Sequence, residues 1–113
     1  MLRSHTCGEL RSTNLGDSVV LCGWIDRVRD HKGVIFLDLR DRWGRTQVVI
    51  GPESPAATLA AARAVRPEWV VLVRGQVGSR PEGTKNPKLA TGEIEVVARE
   101  LEVLNEAETP VFQ

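Results

Sequence analysis

Residues 34–40, Val-Ile-Phe-Leu-Asp-Leu-Arg, alternate in a way that predicts a strand with two unlike faces. Successive side chains of a strand point to opposite sides. Ile35, Leu37 and Leu39 therefore line one face and suit a core, while Val34, Phe36, Asp38 and Arg40 line the other. The run before it, residues 19–29, alternates too, with Val19, Leu21, Gly23 and Ile25 on one side and Val20, Cys22, Trp24 and Asp26 on the other. A glycine inside so long a strand marks a bend or bulge, expected here at Gly23. Asp30-His31-Lys32-Gly33 reads as a hairpin turn in which Gly33 is free to adopt a positive φ. Asp41-Arg42-Trp43-Gly44 reads as a second turn, and residues 46–50 as the third strand of a meander.

The period then changes. Ser54 and Pro55 make an N-cap and first-turn pair, and the alanine- and leucine-rich residues 56–64 predict a helix. Pro67 closes it, because the residue before a proline is pushed out of the helical region. A fourth strand follows over 69–79, with Val71, Val73 and Val77 facing one way and Arg74, Gln76, Gly78 and Arg80 the other. Residues 81–88, Pro-Glu-Gly-Thr-Lys-Asn-Pro-Lys, form a polar loop punctuated by turn formers. The fifth strand covers 93–98 and resumes at 101–104.

Three strands, a helix and two strands is the order of the OB-fold, a partly open five-stranded barrel. The fold class is thus mainly β, a five-stranded OB-fold barrel with one helix between strands three and four. It is expected to occupy residues 1–108, with 109–113 beginning a linker. A sandwich or an SH3-like barrel gives no such place to the helix. OB-folds bind oligonucleotides on the face of strands two and three and with the loops joining strands one to two and four to five. Phe36 lies on that second strand, Gln47 on the third, and the polar loop joins the fourth to the fifth.

Length and composition narrow the class. A chain of 113 residues, 42% apolar and 27% charged, has room for one core and buries about two-thirds of its unfolded surface. No apolar run approaches the roughly 20 residues of a membrane span, and the first residues lack the hydrophobic stretch of a secretory signal. Cys7 and Cys22 are too far apart for a redox or zinc motif, and His5 and His31 do not complete one. A reduced, cytoplasmic chain with Cys22 buried in a strand is expected, and a Cys7–Cys22 disulfide is disfavoured on that ground.

The formal net charge is zero, yet distribution matters more than the sum. Arg27, Arg29, Lys32, Arg40, Arg42 and Arg45 outnumber Asp30, Asp38 and Asp41 in one segment, and Arg74, Arg80, Lys85 and Lys88 oppose Glu82 alone in another. Acids gather at the end, from Glu93 and Glu95 through Glu100, Glu102, Glu106 and Glu108. That asymmetry permits a phosphate-binding face. Phe36 adds a motive for one: a ring among charges, opposite a ready-made apolar face, suits an unpaired base that stacks while cations hold its phosphate. The bland alternative is a ring covered by the chain's own loops.

Catalytic motifs are wanting. No nucleophile elbow, phosphate loop or HExxH occurs. Glu93 and Glu95, two apart on a strand, share one face without a pocket, and Asp38 and Arg40 read as a surface pair. The chain by itself is expected to be non-catalytic, with no metal site and no cofactor of its own.

Gly23-Trp24-Ile25-Asp26-Arg27-Val28-Arg29-Asp30, the stretch Gly33 to Arg42, and Thr91-Gly92-Glu93-Ile94-Glu95-Val96 resemble the N-terminal anticodon-binding domain of bacterial aspartyl-tRNA synthetases. The likeness runs from Arg3 to the Pro110 tail. The first two stretches fit asparaginyl- and lysyl-tRNA synthetases as well, and the Asn86-Pro87 loop leading into Thr-Gly-Glu-Ile-Glu favours the aspartyl branch. The resemblance implies that Phe36 stacks on the middle anticodon base, a uridine, and that Arg29 and Gln47 bind its edge. It implies that Glu95 accepts hydrogen bonds from the first base, guanine or its queuine derivative, and that Arg80 and Asn86 lie near the third. His31 and Gly83 match members that tolerate both cytidine and uridine at that third base. Gly78 stands where some members carry an arginine. The implied partner is tRNA(Asp), with tRNA(Asn) as a second. The implied whole protein is a homodimeric class II aspartate–tRNA ligase whose catalytic domain, using ATP and magnesium, lies beyond this chain, itself expected to be monomeric.

Two other readings stand beside that one: a sequence-tolerant single-strand-binding OB module, and a structural or subunit-contact module built on the acidic last strand and the apolar tail. Trp24 and Trp69 read as core or rim packing, and Trp43 sits on a turn without an assigned role.

Overall fold

A computed structural model describes residues 3–81, 89 and 91–105. The alternating segments form five strands: β1 (Ser18–His31), β2 (Val34–Asp41), β3 (Gly44–Ile50), β4 (Val70–Ser79) and β5 (Ile94–Asn105). A single helix, α1 (Ala56–Ala64), lies between β3 and β4. The strands close into a barrel in the order β1-β2-β3-β5-β4, with β1 returning to β4. The predicted OB-fold and the position of its helix are both realised.

The inward sets are those the alternation picks out. Ile35, Leu37 and Leu39 from β2, Val19, Leu21 and Ile25 from β1, and Val71, Val73 and Val77 from β4 are buried in one core. β5 adds Ile94, Val96 and Ala98. The β1–β2 turn places Lys32 at φ 55° and Gly33 at φ 85°, the paired positive angles of the tight hairpin turn that matches strand twist.

Three local expectations are corrected. The bulge of β1 falls between Ile25 and Arg27, at Asp26, and not at Gly23. Gly23 serves close approach instead: a Cβ there would stand 2.3 Å from the Arg40 carbonyl oxygen. The N-cap of α1 is Pro55 rather than Ser54. Ser54 Oγ turns away from the helix, accepting from the Gly51 amide at 3.2 Å and donating to the Ala98 carbonyl at 3.3 Å. Lastly, β5 continues as one strand through residues 99 and 100, and the interruption expected there is a bulge: Gly75 pairs with Ala98 and Arg74 with Glu100, so Arg99 is left without a partner on β4.

Hydrogen bonds from an unpredicted N-terminal clasp secure the β2–β3 turn. The Cys7 amide donates to Asp41 Oδ2 at 2.8 Å, and Thr46 Oγ1 donates to the Cys7 carbonyl at 2.6 Å. Asp41 Oδ1 takes the Trp43 and Gly44 amides at 2.9 and 3.1 Å, so a buried carboxylate is satisfied on every side. Cys7 and Cys22 are free and buried, and burial raises both thiols. No helix among the described residues is long and apolar enough to cross a membrane.

Candidate nucleic-acid interface

Because β1, β2, β3 and β5 are neighbours in the barrel, their outward side chains meet on one surface. An open groove of about 490 Å³ lies there, lined by Arg29, Val34, Phe36, Gln47, Val49, Arg80, Pro81 and Glu95. Phe36 is opposite Arg29 on β1 and Val49 on β3. It is half-buried on the outer face, with the Arg29 guanidinium carbon 5.5 Å from its ring centroid. Val34, placed beside Phe36 by the alternation, is joined in the groove lining by Val49, which the sequence did not single out. Its signal lay in the pairing of β3 against β2, which sets Val49 across from Phe36.

The polar groups form a chain. Arg29 Nη2 donates to Asp38 Oδ1 at 3.2 Å and to Gln47 Oε1 at 3.0 Å. Gln47 Nε2 in turn donates to Glu95 Oε1 at 3.1 Å. An arginine only donates and a carboxylate only accepts, so the two ends fix which way the amide between them points. Gln47 is 5% exposed, far more enclosed than the strand-surface residue its sequence context implies. Asp38 pairs with Arg29 and not with Arg40, which reaches Asp26 at 3.9 Å beside Arg45 at 3.3 Å. The bulge between Ile25 and Arg27 resets the alternation, so that Val28 packs on the core and Arg29 comes to lie across from Phe36.

Glu95 and Arg80 close the other end. Burial pushes the Glu95 carboxyl above its ordinary value, against the Gln47 hydrogen bond and the Arg80 charge, which hold it down. Arg80 is buried, and its Nε donates to the Ile94 carbonyl at 3.2 Å. Desolvation lowers its pKa while Asp38 and Glu95 raise it. The groove thus offers one aromatic face, two guanidiniums, a carboxamide and one carboxylate within a single concavity, the donors and acceptors that the edges of a splayed single-stranded base can meet.

Of the other predicted site residues, His31 ends β1, exposed, opposite the groove-lining Val34. Asn86 and Gly83 lie outside the described residues, as do Lys85 and Lys88. At Gly78 a Cβ would meet Val97 Cγ2 at 3.8 Å, so ordinary contact and not steric exclusion governs that position. The acidic strand is not segregated from the basic ones: Arg74 Nε lies 3.9 Å from Glu100 across the β4–β5 ladder. Trp43 is exposed, its ring 4.3 Å from the Arg3 guanidinium and 5.6 Å from that of Arg42. Trp69 packs on the core. Among the described residues no cluster of His, Cys, Asp and Glu has the makings of a metal site.

Comparison with known proteins agrees with this fold. A family model described as an OB-fold nucleic acid binding domain, tRNA_anti-codon, matches residues 19–104. The chain is 58% identical to an aspartate–tRNA(Asp/Asn) ligase of Rubrobacter xylanophilus over 98% of its own length, which is 18% of that protein. It spans about a fifth of the length of the curated relatives it matches. Among solved structures, an asparaginyl-tRNA synthetase of Pyrococcus horikoshii superposes with a TM-score of 0.78 at 27% identity, over 98% of this chain and 25% of that one. An OBody bound to hen egg-white lysozyme superposes at 0.81 over 93% of this chain and 95% of its own, at 24% identity, a likeness of fold.

Proposed function

The chain belongs to the tRNA anticodon OB-fold family of nucleic acid binding domains, and from that premise we propose that it reads the anticodon of tRNA(Asp) for an aspartate–tRNA ligase. The middle uridine stacks on Phe36, with its edge toward Arg29 and Gln47. The first base, guanine or queuine, presents its imino and amino donors to Glu95. The third base is read beside Arg80, the resemblance adds Asn86, His31 and Gly83 to its readers, and cytidine and uridine are both accepted there. On that last point the domain serves tRNA(Asn) as well, a reading supported by its similarity to the aspartate–tRNA(Asp/Asn) ligase of Rubrobacter xylanophilus. Aminoacylation itself, with ATP and magnesium, belongs to a catalytic domain outside this chain, in a homodimeric, cytoplasmic parent enzyme.

One observation carries the reading: an aromatic ring and an aligned Arg29–Gln47–Glu95 hydrogen-bond chain face the same groove. Stacking alone tolerates any base. Directed donors and an acceptor beside the ring are what discrimination between bases requires.

The test is a titration of the chain with a hairpin whose loop carries GUC and with hairpins in which those three bases are permuted. A strong preference for GUC is expected. Equal, salt-sensitive binding to all would instead favour a sequence-tolerant single-strand binder, and absence of binding would favour a structural module.

A further inference from the structure

Gln47 has its amide committed at both ends before any ligand arrives. Its carbonyl oxygen takes a hydrogen of Arg29 at 3.0 Å, and its nitrogen gives one to Glu95 at 3.1 Å. The three residues belong to β1, β3 and β5, so the chain crosses the sheet and joins the two ends of the groove. At 5% exposure this side chain is held between its neighbours, and it lines the groove while keeping both of those bonds. A cation at one end and a carboxylate at the other both polarise the amide in the same sense, and hydrogen bonds linked in this way strengthen one another.

We propose that Gln47, besides facing the middle base's edge, couples the first-base site at Glu95 to the middle-base site at Arg29, so that the two bases are read jointly. The proposal rests on the anticodon reading above. A guanine that donates to Glu95 holds that carboxylate in place. The held carboxylate fixes the Gln47 amide, and the fixed amide aims Arg29 at the middle base. Adenine offers Glu95 only its exocyclic amino donor, beside a ring nitrogen that repels the carboxylate, so the carboxylate is held less firmly and the middle base is read by a looser guanidinium. Discrimination at the middle base is therefore greater when the first base is guanine.

Four hairpins test this, with loops GUC, AUC, GCC and ACC, titrated against the unmodified chain and Gln47→Met. In the unmodified chain the penalty for cytidine at the middle base should be about fivefold or more larger behind guanine than behind adenine. In Gln47→Met the two penalties should agree within about twofold. Gln47→Glu, equal in size but without the amide donor, breaks the link to Glu95 by another route and serves where the methionine variant fails to fold. Equal penalties in the unmodified chain, or a fivefold difference retained without Gln47, overturn the coupling alone. Anticodon-independent binding of all four hairpins overturns the anticodon reading and the coupling with it.

A second readout needs no RNA. The charged groups facing Glu95 are Arg80, at the end of β4, and the Arg29–Asp38 pair reached through Gln47. Followed by NMR in the free chain, the Glu95 carboxyl should titrate higher in Gln47→Met, since the hydrogen bond that holds it down is gone. An unchanged titration would break the relay at its first link.

Discussion

Arg29 and Phe36 are register partners across the β1–β2 ladder, and the guanidinium of the first lies 5.5 Å from the ring centroid of the second. A cation at that distance is drawn to the ring by its quadrupole. The pairing accounts for an aromatic residue that stays out of the core. Its outer face is dressed by charge on one side and by Val34 and Val49 on the other, which leaves a platform beside an open groove.

Phe36→Ala should weaken binding of the GUC hairpin by about 1–3 kcal/mol, the stacking range for one base, while the fold survives. The core-facing residues of β2 are Ile35, Leu37 and Leu39, so loss of the outer ring opens no cavity among them. Thermal unfolding checks the second half. A drop matching a large-to-small core change, about 3–5 kcal/mol, would make Phe36 a core residue.

Glu95 sets a pH dependence of opposite sign for stability and for recognition. Unfolded, the carboxyl titrates near its ordinary value of 4.5; folded, burial raises it. Between those two points the folded chain holds the extra proton, so stability falls as pH rises through the window and is level above it. Guanine recognition needs the ionised form and should strengthen over the same window. Glu95→Gln should remove both trends and gain stability at neutral pH. Denaturation midpoints and hairpin affinities measured across the acid range decide it, and parallel trends would contradict the assignment.

Hairpins carrying GUC and GUU should bind within about tenfold of each other, 1.4 kcal/mol. His31 is exposed opposite the groove-lining Val34, and an imidazole offers a donor and an acceptor to either pyrimidine. His31→Leu should widen the gap. A preference for GUC of about a hundredfold in the unmodified chain, some 2.7 kcal/mol, would contradict the tolerance and leave the anticodon reading standing.

Gly23→Ala should cost about 1–3 kcal/mol or more, the range for forcing extra volume into a packed site. The added Cβ would sit 2.3 Å from the Arg40 carbonyl oxygen, and backbone in a closed barrel has little room to retreat. Urea denaturation gives the measurement. An unchanged midpoint would show that β1 and β2 slide apart freely at this point.

The element order, the inward faces of the strands and the hairpin at Lys32-Gly33 are legible in the sequence because each depends on neighbours a few residues apart. Period two, period 3.6 and turn chemistry are local signals. The bulge at Asp26 escapes such a reading, since a bulge is a property of how two strands pair and not of one strand. The same holds for Gln47. Its partners are 18 and 48 residues away, and only the barrel's register reveals that a polar residue on β3 is enclosed between strands. The Cys7–Asp41 clasp spans 34 residues and has no local signature. Strand alternation singled out Phe36, and the resemblance to anticodon-binding domains pointed to Arg29, Gln47, Arg80 and Glu95; the fold supplied the fact that they line one groove.

The barrel's closure between β3 and β5 is parallel and consists of two rungs, Val48 with Val96 and Val49 with Val97. So short a joint is where a closed sheet should breathe first. The Gln47–Glu95 bond lies just beside it, on the same two strands. A ligand gripping Glu95 at one end and Arg29 at the other therefore acts as a latch on the seam as well as an occupant of the groove. In amide exchange, the protection gained on binding should concentrate at Val96 and Val97, on the far side of the sheet's thinnest joint, rather than spread evenly through the strands.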